Sequence, residues 1–353
     1  MSRGRSAADV LIVSLGSTAG LRAADEDLAA SLRRAGASVR VAAAVPPGAV
    51  RTLPLTDLLW ARAARAAALD AIREEAPGAV IYSTTTAALL WPLRGAIRFD
   101  APAAGNRPGR HGLWQRPLER RRLREAPLLL PLSAGGLQET GLGATEREHA
   151  LIVPLPVEPS GEAPVVRDVA AITYAGNPVK KGLASVLAAW RRARPAAGEG
   201  AELIVAGASA AELRAAGIDL DAHEGVRDVG RLAREEYRAL VRRARVFVTA
   251  PSREDYGQAQ LEALADGCLL ATTPALGPYA ALPIARRLAP ELVAEDLGAA
   301  LRSALSHPDP LGYAARAREE LAPLRTAAVD ELVAGELLPR LTGSGAARPT
   351  LTA

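Results

Sequence analysis

The sequence predicts an α/β protein of two domains, each a parallel sheet flanked by crossover helices. Three observations lead there. Short β-branched and leucine-rich runs alternate with longer amphipathic stretches. A proline cluster at Pro154, Pro156, Pro159 and Pro164 interrupts this alternation near the middle of the chain. Beyond the cluster the alternation restarts. Parallel neighbours need a connection long enough to return to the same sheet edge, so the alternation itself implies right-handed crossovers. At 353 residues, either half is long enough to bury its own core.

The elements follow in order. Val10–Leu15 reads as a buried strand, residues 16–20 as a loop, and Asp25–Ala35 as a helix ended by Gly36. Val39–Ala44 is a second strand, and Ala61–Glu75 a helix closed by Pro77 and Gly78. Ala79–Ser83, Ile97–Asp100, Leu128–Leu132 and Leu151–Val153 read as four further strands. The prolines that follow cannot continue a helix or a central strand, so the domain boundary is expected there, near residue 160. After it come strands at Ala170–Ala175, Glu202–Ala206, Val226–Val229, Val246–Thr249 and Leu269–Thr272. The intervening helices are Gly182–Arg194, Ala210–Ala216, Arg234–Ala244 and Gln258–Asp266. Helices at Leu297–Ser306, Tyr313–Leu321 and Ala327–Leu338 close the chain. The expected domains are 1–160 and 161–325, with a helix at 326–342 returning toward the first domain and a disordered tail at 343–353.

Composition excludes several classes. With 49% hydrophobic and 23% charged residues, the chain is not mostly disordered. A net charge of +4 with only 3% aromatics lacks the basic-aromatic pattern of a nucleic-acid module. The single cysteine, Cys268, rules out a disulfide scaffold and a multi-cysteine zinc site, and reads as buried and inert. The four histidines are scattered without metal spacing and form no cluster with the single cysteine, so no metal is expected. No apolar run approaches the ~20 residues of a membrane span. Arg3 and Arg5 precede an apolar run too short for a secretory core, so that run reads as the first strand and a cytoplasmic location is expected.

The chemistry concentrates in the second half. Only two of the 43 basic residues are lysines, and they are adjacent, Lys180 and Lys181. A chain that uses arginine almost everywhere keeps a compact ammonium where one is wanted. They lie in Tyr174-Ala-Gly176-Asn177-Pro-Val-Lys180-Lys181-Gly182, directly after a strand and opening a helix. The segment is like a phosphate loop but lacks the G-x-x-x-x-G-K-[ST] pattern. A second strand runs into Pro251-Ser252, then a loop with Glu254, Asp255, Tyr256 and Gly257, then a helix from Gln258 that carries Glu262. Gly257 permits a sharp turn, and the first N–H groups of the helix make an anion site. Carboxylates beside an anion site make sense for a ligand with both phosphate and hydroxyls: N–H groups take the phosphate and acceptor-only carboxylates take the hydroxyls. A nucleotide-sugar has both.

These segments, together with Leu203–Gly207 and Val229-Gly230 through Tyr237, resemble the C-terminal domain of the family 4 retaining glycosyltransferases of GT-B fold (glycosyl transferases group 1). The likeness is clearest in Pro251-Ser252, Glu254, Glu262, Ala263 and Gly267, and covers roughly residues 170–275. It implies two Rossmann-like domains whose parallel sheets face across a cleft. The implied reaction is transfer of a sugar from a nucleoside diphosphate sugar to an acceptor hydroxyl, with retention and without a metal. It implies that Lys181 neutralises the donor diphosphate, Glu254 holds donor-sugar hydroxyls and Glu262 binds the ribose. Gly257, Gln258 and Gly176 would approach the phosphates, and backbone near Gly207, Val229 and Gly230 would read the base. Two departures stand out: Asn177 replaces the family's usual Arg, leaving Lys180 to supply the second cation, and Asp255-Tyr256 adds a charge after the first Glu.

The first half would supply the acceptor site. Gly16, Ser17 and Thr18 stand where the family's glycine loop approaches the donor. Asp100 falls near where relatives place a catalytic-site histidine, although a strand-end aspartate capping a turn is the plainer reading. The run from Arg107 to Arg124, with Arg110 and His111, offers a patch for an anionic glycan, lipid or small-molecule acceptor, or for the inner membrane surface with Trp114 as anchor. The plainer reading is a solvated arginine-rich helix start. Two rivals use similar architecture: a GT-B nucleotide-sugar epimerase, which needs no acceptor, and a non-catalytic two-lobed binding protein.

Overall fold

The computed structural model describes residues 8–48, 52–107, 109–162 and 166–343. The chain divides into two compact units, Met1–Pro156 with Thr326–Ala353, and Val157–Arg325. The boundary falls inside the proline cluster, ahead of the expected residue 160, and the stretch from 326 belongs to the first unit. The tail expected at 343–353 lies outside the described residues beyond Gly343, as does Pro164.

The first unit holds a parallel sheet of β1 (Val10–Ser14), β2 (Val39–Ala43), β3 (Ala79–Tyr82), β4 (Ala96–Phe99) and β5 (Leu129–Pro131), in the order β2-β1-β3-β4-β5. Ile12 lies opposite Val41 on one side and Ile81 on the other. Leu11 and Val13 pack into one buried face with Tyr82, Trp91 and Phe99, while Val10 and Ile12 pack into the other with Leu28 and Leu32. A strand buried on both faces must be apolar throughout, which is why these runs show no alternation.

The expected strand at Leu151–Val153 is not one. Leu151 and Val153 donate to the carbonyls of Leu129 and Pro131 at 2.8 and 3.0 Å, but Pro154 and Pro156 follow at once and no ladder extends. Two helices begin earlier than expected. Ala19–Arg34 starts where the Thr18 hydroxyl accepts from the Leu21 N–H, so Gly20 is helical and the loop after β1 is shorter than expected. Leu53–Glu74 starts with Pro54 in its first turn, where a missing N–H costs nothing.

The C-terminal run passes through Thr326–Leu332, a π-helical Val333–Leu337 and Leu338–Thr342. The π turn lies just ahead of Pro339, which has no N–H to donate. Val329, Val333, Leu337 and Leu341, spaced by four, are buried in the core that Leu28 and Leu32 share. Asp330 accepts from Ser31 at 2.5 Å and from Arg34 at 2.6 Å.

The second unit holds β6 (Val169–Tyr174), β7 (Leu203–Ala206), β8 (Val226–Gly230), β9 (Ala244–Thr249) and β10 (Leu269–Thr272), in the order β10-β9-β6-β7-β8, all parallel. The chain leaves β6 toward β7 and leaves β9 toward β10. The loops after these two adjacent strands therefore part in opposite directions, and a crevice opens outside their carboxyl ends, the usual ligand position in an open parallel sheet. A further helix at Ala281–Leu288, absent from the expected elements, carries Pro283 in its first turn, where proline is tolerated.

The C-terminal run makes a measurable claim on the first unit. Leu337 is fully buried, so Leu337→Ala is expected to cost about 2–4 kcal/mol. The result would be a lower urea midpoint for that unit's transition; an unchanged midpoint would mean the run does not support its core.

Candidate functional site

The loops after β6 and β9 meet at the switch point. Gly182 caps the helix Leu183–Ala193 with a φ of 65°, and a Cβ there would lie 1.8 Å from the Ala250 carbonyl oxygen. Only glycine lets the two loops approach this closely. The Ser252 N–H donates to the Lys180 carbonyl at 3.2 Å. Asn177 is exposed; its side-chain oxygen accepts from the Lys180 N–H at 2.9 Å, so it shapes the lysine turn. Asn177 brings no charge in place of the usual Arg.

Both lysines reach across to acids. Lys181 Nζ lies 2.5 Å from Glu254 Oε2, with the side chains 19% and 7% exposed. Gln260 Nε2 donates to the same oxygen at 3.1 Å. Lys180 Nζ lies 2.8 Å from Asp255 Oδ2, and Arg253 Nε lies 2.9 Å from Asp255 Oδ1. The second cation expected of Lys180 is thus already engaged by Asp255, although its side chain stays 40% exposed. Burial raises the Asp255 carboxyl, but Lys180 and Arg253 outweigh it and hold the group below the ordinary carboxylate range.

Backbone bonds fix the acidic loop. The Glu254 N–H donates to Leu276, its carbonyl accepts from Tyr279, and the Tyr256 carbonyl accepts from Ala280. Tyr256 is buried. Gly257 has a φ of 90°, and a Cβ there would meet the Tyr279 ring at 2.9 Å. It precedes the helix Gln258–Ala265 and supplies no side-chain cap, so N–H groups of the first turn are free for a ligand. The amide oxygens of Gln258 and Gln260 are buried and find no hydrogen-bond partner among the described residues.

Glu262 is one turn further on and largely buried. Its Oε1 accepts from Arg234 at 2.5 Å and Gln258 at 3.2 Å, and Arg238 lies 3.5 Å away. Gly176 and Gly207 approach the Tyr174 ring. The Gly207 N–H donates to the Gly230 carbonyl at 2.7 Å, joining the ends of β7 and β8 beside Val229. Of the expected residues, the structure brings Lys181, Glu254, Gly257 and Glu262 to the carboxyl ends of β6 and β9, and joins Gly207 to Gly230 at the ends of β7 and β8. Sequence spacing missed Arg234, Arg253 and Gln260, which no local pattern marks.

The first unit's expected residues sit at its own sheet edge. Ser17 and Thr18 are exposed in the loop after β1, and the Gly16 carbonyl accepts from Arg22 at 2.7 Å. Asp100 follows β4 and accepts from the Ala101 N–H at 2.7 Å, a turn cap. Arg107 does not join an open patch: it pairs with Asp57 at 2.7 Å. Arg110 and His111 are exposed in the turn Gly109–Gly112. Burial pushes the Cys268 thiol up to about 12, so it is inert at neutral pH. Among the described residues no three His, Cys, Asp or Glu groups come together to hold a metal ion, and no helix is long and apolar enough to cross a membrane.

Residues 169–307, all within the second unit, match the sequence model of the family described as Glycosyl transferases group 1. Solved structures share the fold of the whole chain. The glycosyltransferase WaaG, involved in lipopolysaccharide biosynthesis, is 17% identical at a TM-score of 0.68, covering 95% of this chain and 100% of its own. HepE of Anabaena, solved with UDP and glucose, is 12% identical at 0.63, covering 93% and 98%. A trehalose-6-phosphate synthase, described in terms of glycosyl transfer with retention, is 14% identical at 0.65, with the same coverage. No curated protein matches the chain. Residues 169–307 of the second unit thus match a glycosyltransferase family, and the chain has the two-sheet GT-B architecture. Domain and fold together are those of a glycosyltransferase, a transferase enzyme.

The Asp255 pairing sets an acid response. Its folded-state value lies below the ordinary 3.8, so its contribution is present above that value and is lost as pH falls through the lower folded value. The urea midpoint of wild type should therefore fall more steeply below pH 3.8 than that of Asp255→Asn. Parallel profiles would show that the tie contributes nothing to stability.

Proposed function

We propose that this chain transfers a sugar from a nucleoside diphosphate sugar to an acceptor hydroxyl, with retention at the anomeric carbon and without a bound metal, as a family 4 enzyme acting in the cytoplasm. The observation that carries the reading is the Lys181–Glu254 contact beside an uncapped helix start at the switch point of the second sheet. An ammonium and a row of N–H groups suit a diphosphate, and the adjacent carboxylate suits sugar hydroxyls. HepE was solved with UDP and glucose, which supports a nucleotide-sugar donor. The trehalose-6-phosphate synthase description supports retention.

In this reading the donor enters by exchange. Its diphosphate takes Lys181 from Glu254, and the released carboxylate accepts from donor-sugar hydroxyls. Lys180, exposed although tied to Asp255, follows. Glu262 accepts from the ribose, and backbone at Gly207, Val229 and Gly230 meets the base. As the glycosidic bond breaks, negative charge builds on the departing diphosphate, and Lys181 with the Gln258–Ala265 helix start stabilises it more than it stabilises the bound donor. The acceptor hydroxyl attacks on the same face, and its proton leaves with the diphosphate. The first unit supplies the acceptor site, where exposed Arg110 and His111 suit an anionic acceptor or headgroup.

Thermal shift against UDP, GDP and ADP in EDTA tests binding. A nucleotide at 100 times its Kd adds about 2.7 kcal/mol, several degrees for a domain of this size. No shift with any of them would overturn the reading.

Lys181→Ala and Glu254→Ala should each lower transfer by about 10²–10³. Each single variant also strands a largely buried charge, so both should lose stability. The double variant should regain stability yet remain inactive. Near-wild-type transfer in the double variant would remove the pair from the chemistry.

A further inference from the structure

We propose that Arg234 is a positioning residue for the donor's ribose, acting through Glu262; this rests on the nucleotide-sugar reading above. Three donors converge on one oxygen of the Glu262 carboxylate. Arg234 Nη2 is at 2.5 Å, Gln258 Nε2 at 3.2 Å and Arg238 Nη1 at 3.5 Å, all to Oε1. Oε2 accepts from none of them. A carboxylate tied at one oxygen presents the other in a fixed direction, which is what a hydroxyl pair needs from an acceptor-only group.

The three donors are not equivalent. Arg238 is buried and committed to Asp266 at 2.7 Å, and its Nη2 donates to the Glu158 carbonyl at 3.0 Å. It belongs to the framework of the unit. Gln258 sits one turn before Glu262 on the same helix, and its amide oxygen is buried without a partner. Arg234 and Arg238 both come from the helix Arg234–Arg243, but Arg234 stands at its start and is the exposed one, with its side chain 59% exposed against 6% for Arg238. Arg234 follows the loop that leaves Gly230, whose carbonyl is bonded to the Gly207 N–H. Arg234 thus bridges the end of β8 to Glu262 from the solvent side. The same loop holds a natural control: Arg231 pairs with Glu212 and leaves Glu262 alone.

The expected signature is discrimination at the 2′-hydroxyl. Dissociation constants of UDP, GDP and ADP are measured against their 2′-deoxy forms by calorimetric titration of the full chain. Wild type binds the ribo form more tightly. Arg234→Ala lowers that preference about tenfold, the size of one charge-assisted hydrogen bond. Arg234→Lys keeps part of the preference. Arg231→Ala removes the same charge from the same loop and leaves the preference unchanged, which separates a local tie from the general field. An Arg234→Ala protein that binds nucleotide with the wild-type ribo-to-deoxy ratio overturns the proposal and leaves the nucleotide-sugar reading standing. Tighter ribonucleotide binding by Arg234→Ala also overturns it, because Arg234 would then compete with the ribose. Absence of nucleotide binding in wild type overturns both.

Discussion

Two ion pairs tie together the loops at the carboxyl ends of β6 and β9. Lys180 and Lys181 are neighbours on the loop after β6, and Glu254 and Asp255 are neighbours on the loop after β9. The pairs close side by side, and the Ser252–Lys180 backbone bond and the glycine contact at Gly182 align them. Burial differs across the two. Lys181 with Glu254 is largely out of water, so removing either partner strands the other, whereas Lys180 with Asp255 is wet enough to be screened. In the function proposed above, a diphosphate would meet Lys181 already desolvated and oriented, and would displace carboxylates that could then accept from hydroxyls of the same ligand.

How much of this the sequence could tell depended on the range of each signal. The central strands were legible because β1, β3, β6 and β9 are buried on both faces and read as unbroken apolar runs. Helix starts were less so: Ala19–Arg34 and Leu53–Glu74 begin ahead of the expected Asp25 and Ala61, at a Thr18 that caps by a single hydroxyl and at a Pro54 in the first turn. Leu151–Val153 has strand composition, but a strand also needs room to extend, which the prolines deny. In the site, Lys181, Glu254 and Glu262 stood out because a lysine pair is rare in this chain and because two acids flank a helix start. Arg234 is one of many arginines, 28 residues before its partner, and nothing local distinguishes it. The engagement of Lys180 was hidden for a related reason: Asp255 is 75 residues away, and only the strand order makes them neighbours.

The first unit solves a different problem with similar means. Arg98 is buried on β4, donating to the Ala24 carbonyl at 2.8 Å and lying 3.6 Å from Asp25, which accepts from Ser14. Burial raises the Asp25 carboxyl against the pull of Ser14 and Arg98. This group ties β1 and β4 to the start of the Ala19–Arg34 helix beneath the loop that holds Gly16 and Thr18. Glu119 plays a similar part further along, accepting from the Ala103 N–H at 2.9 Å; burial raises its carboxyl in turn. The arginine-rich run that begins at Arg107 is therefore mixed. Some of its charges hold the unit's frame, while Arg110 and His111 face solvent.

The return of residues 326–342 to the first unit has a consequence for how the chain is made. The second unit is continuous and can close as soon as residue 325 is available. The first unit is interrupted by it. Leu28 and Leu32 are synthesised early but share their core with Val333 and Leu337, and Ser31 waits for a partner 299 residues away. Contacts that distant form slowly, because the loop between them must close first. On a ribosome, the unit that begins first finishes last, with an apolar helix face uncovered in the meantime. The order of assembly is thus opposite to the order of synthesis, and the nascent chain's vulnerability to aggregation is written into its connectivity.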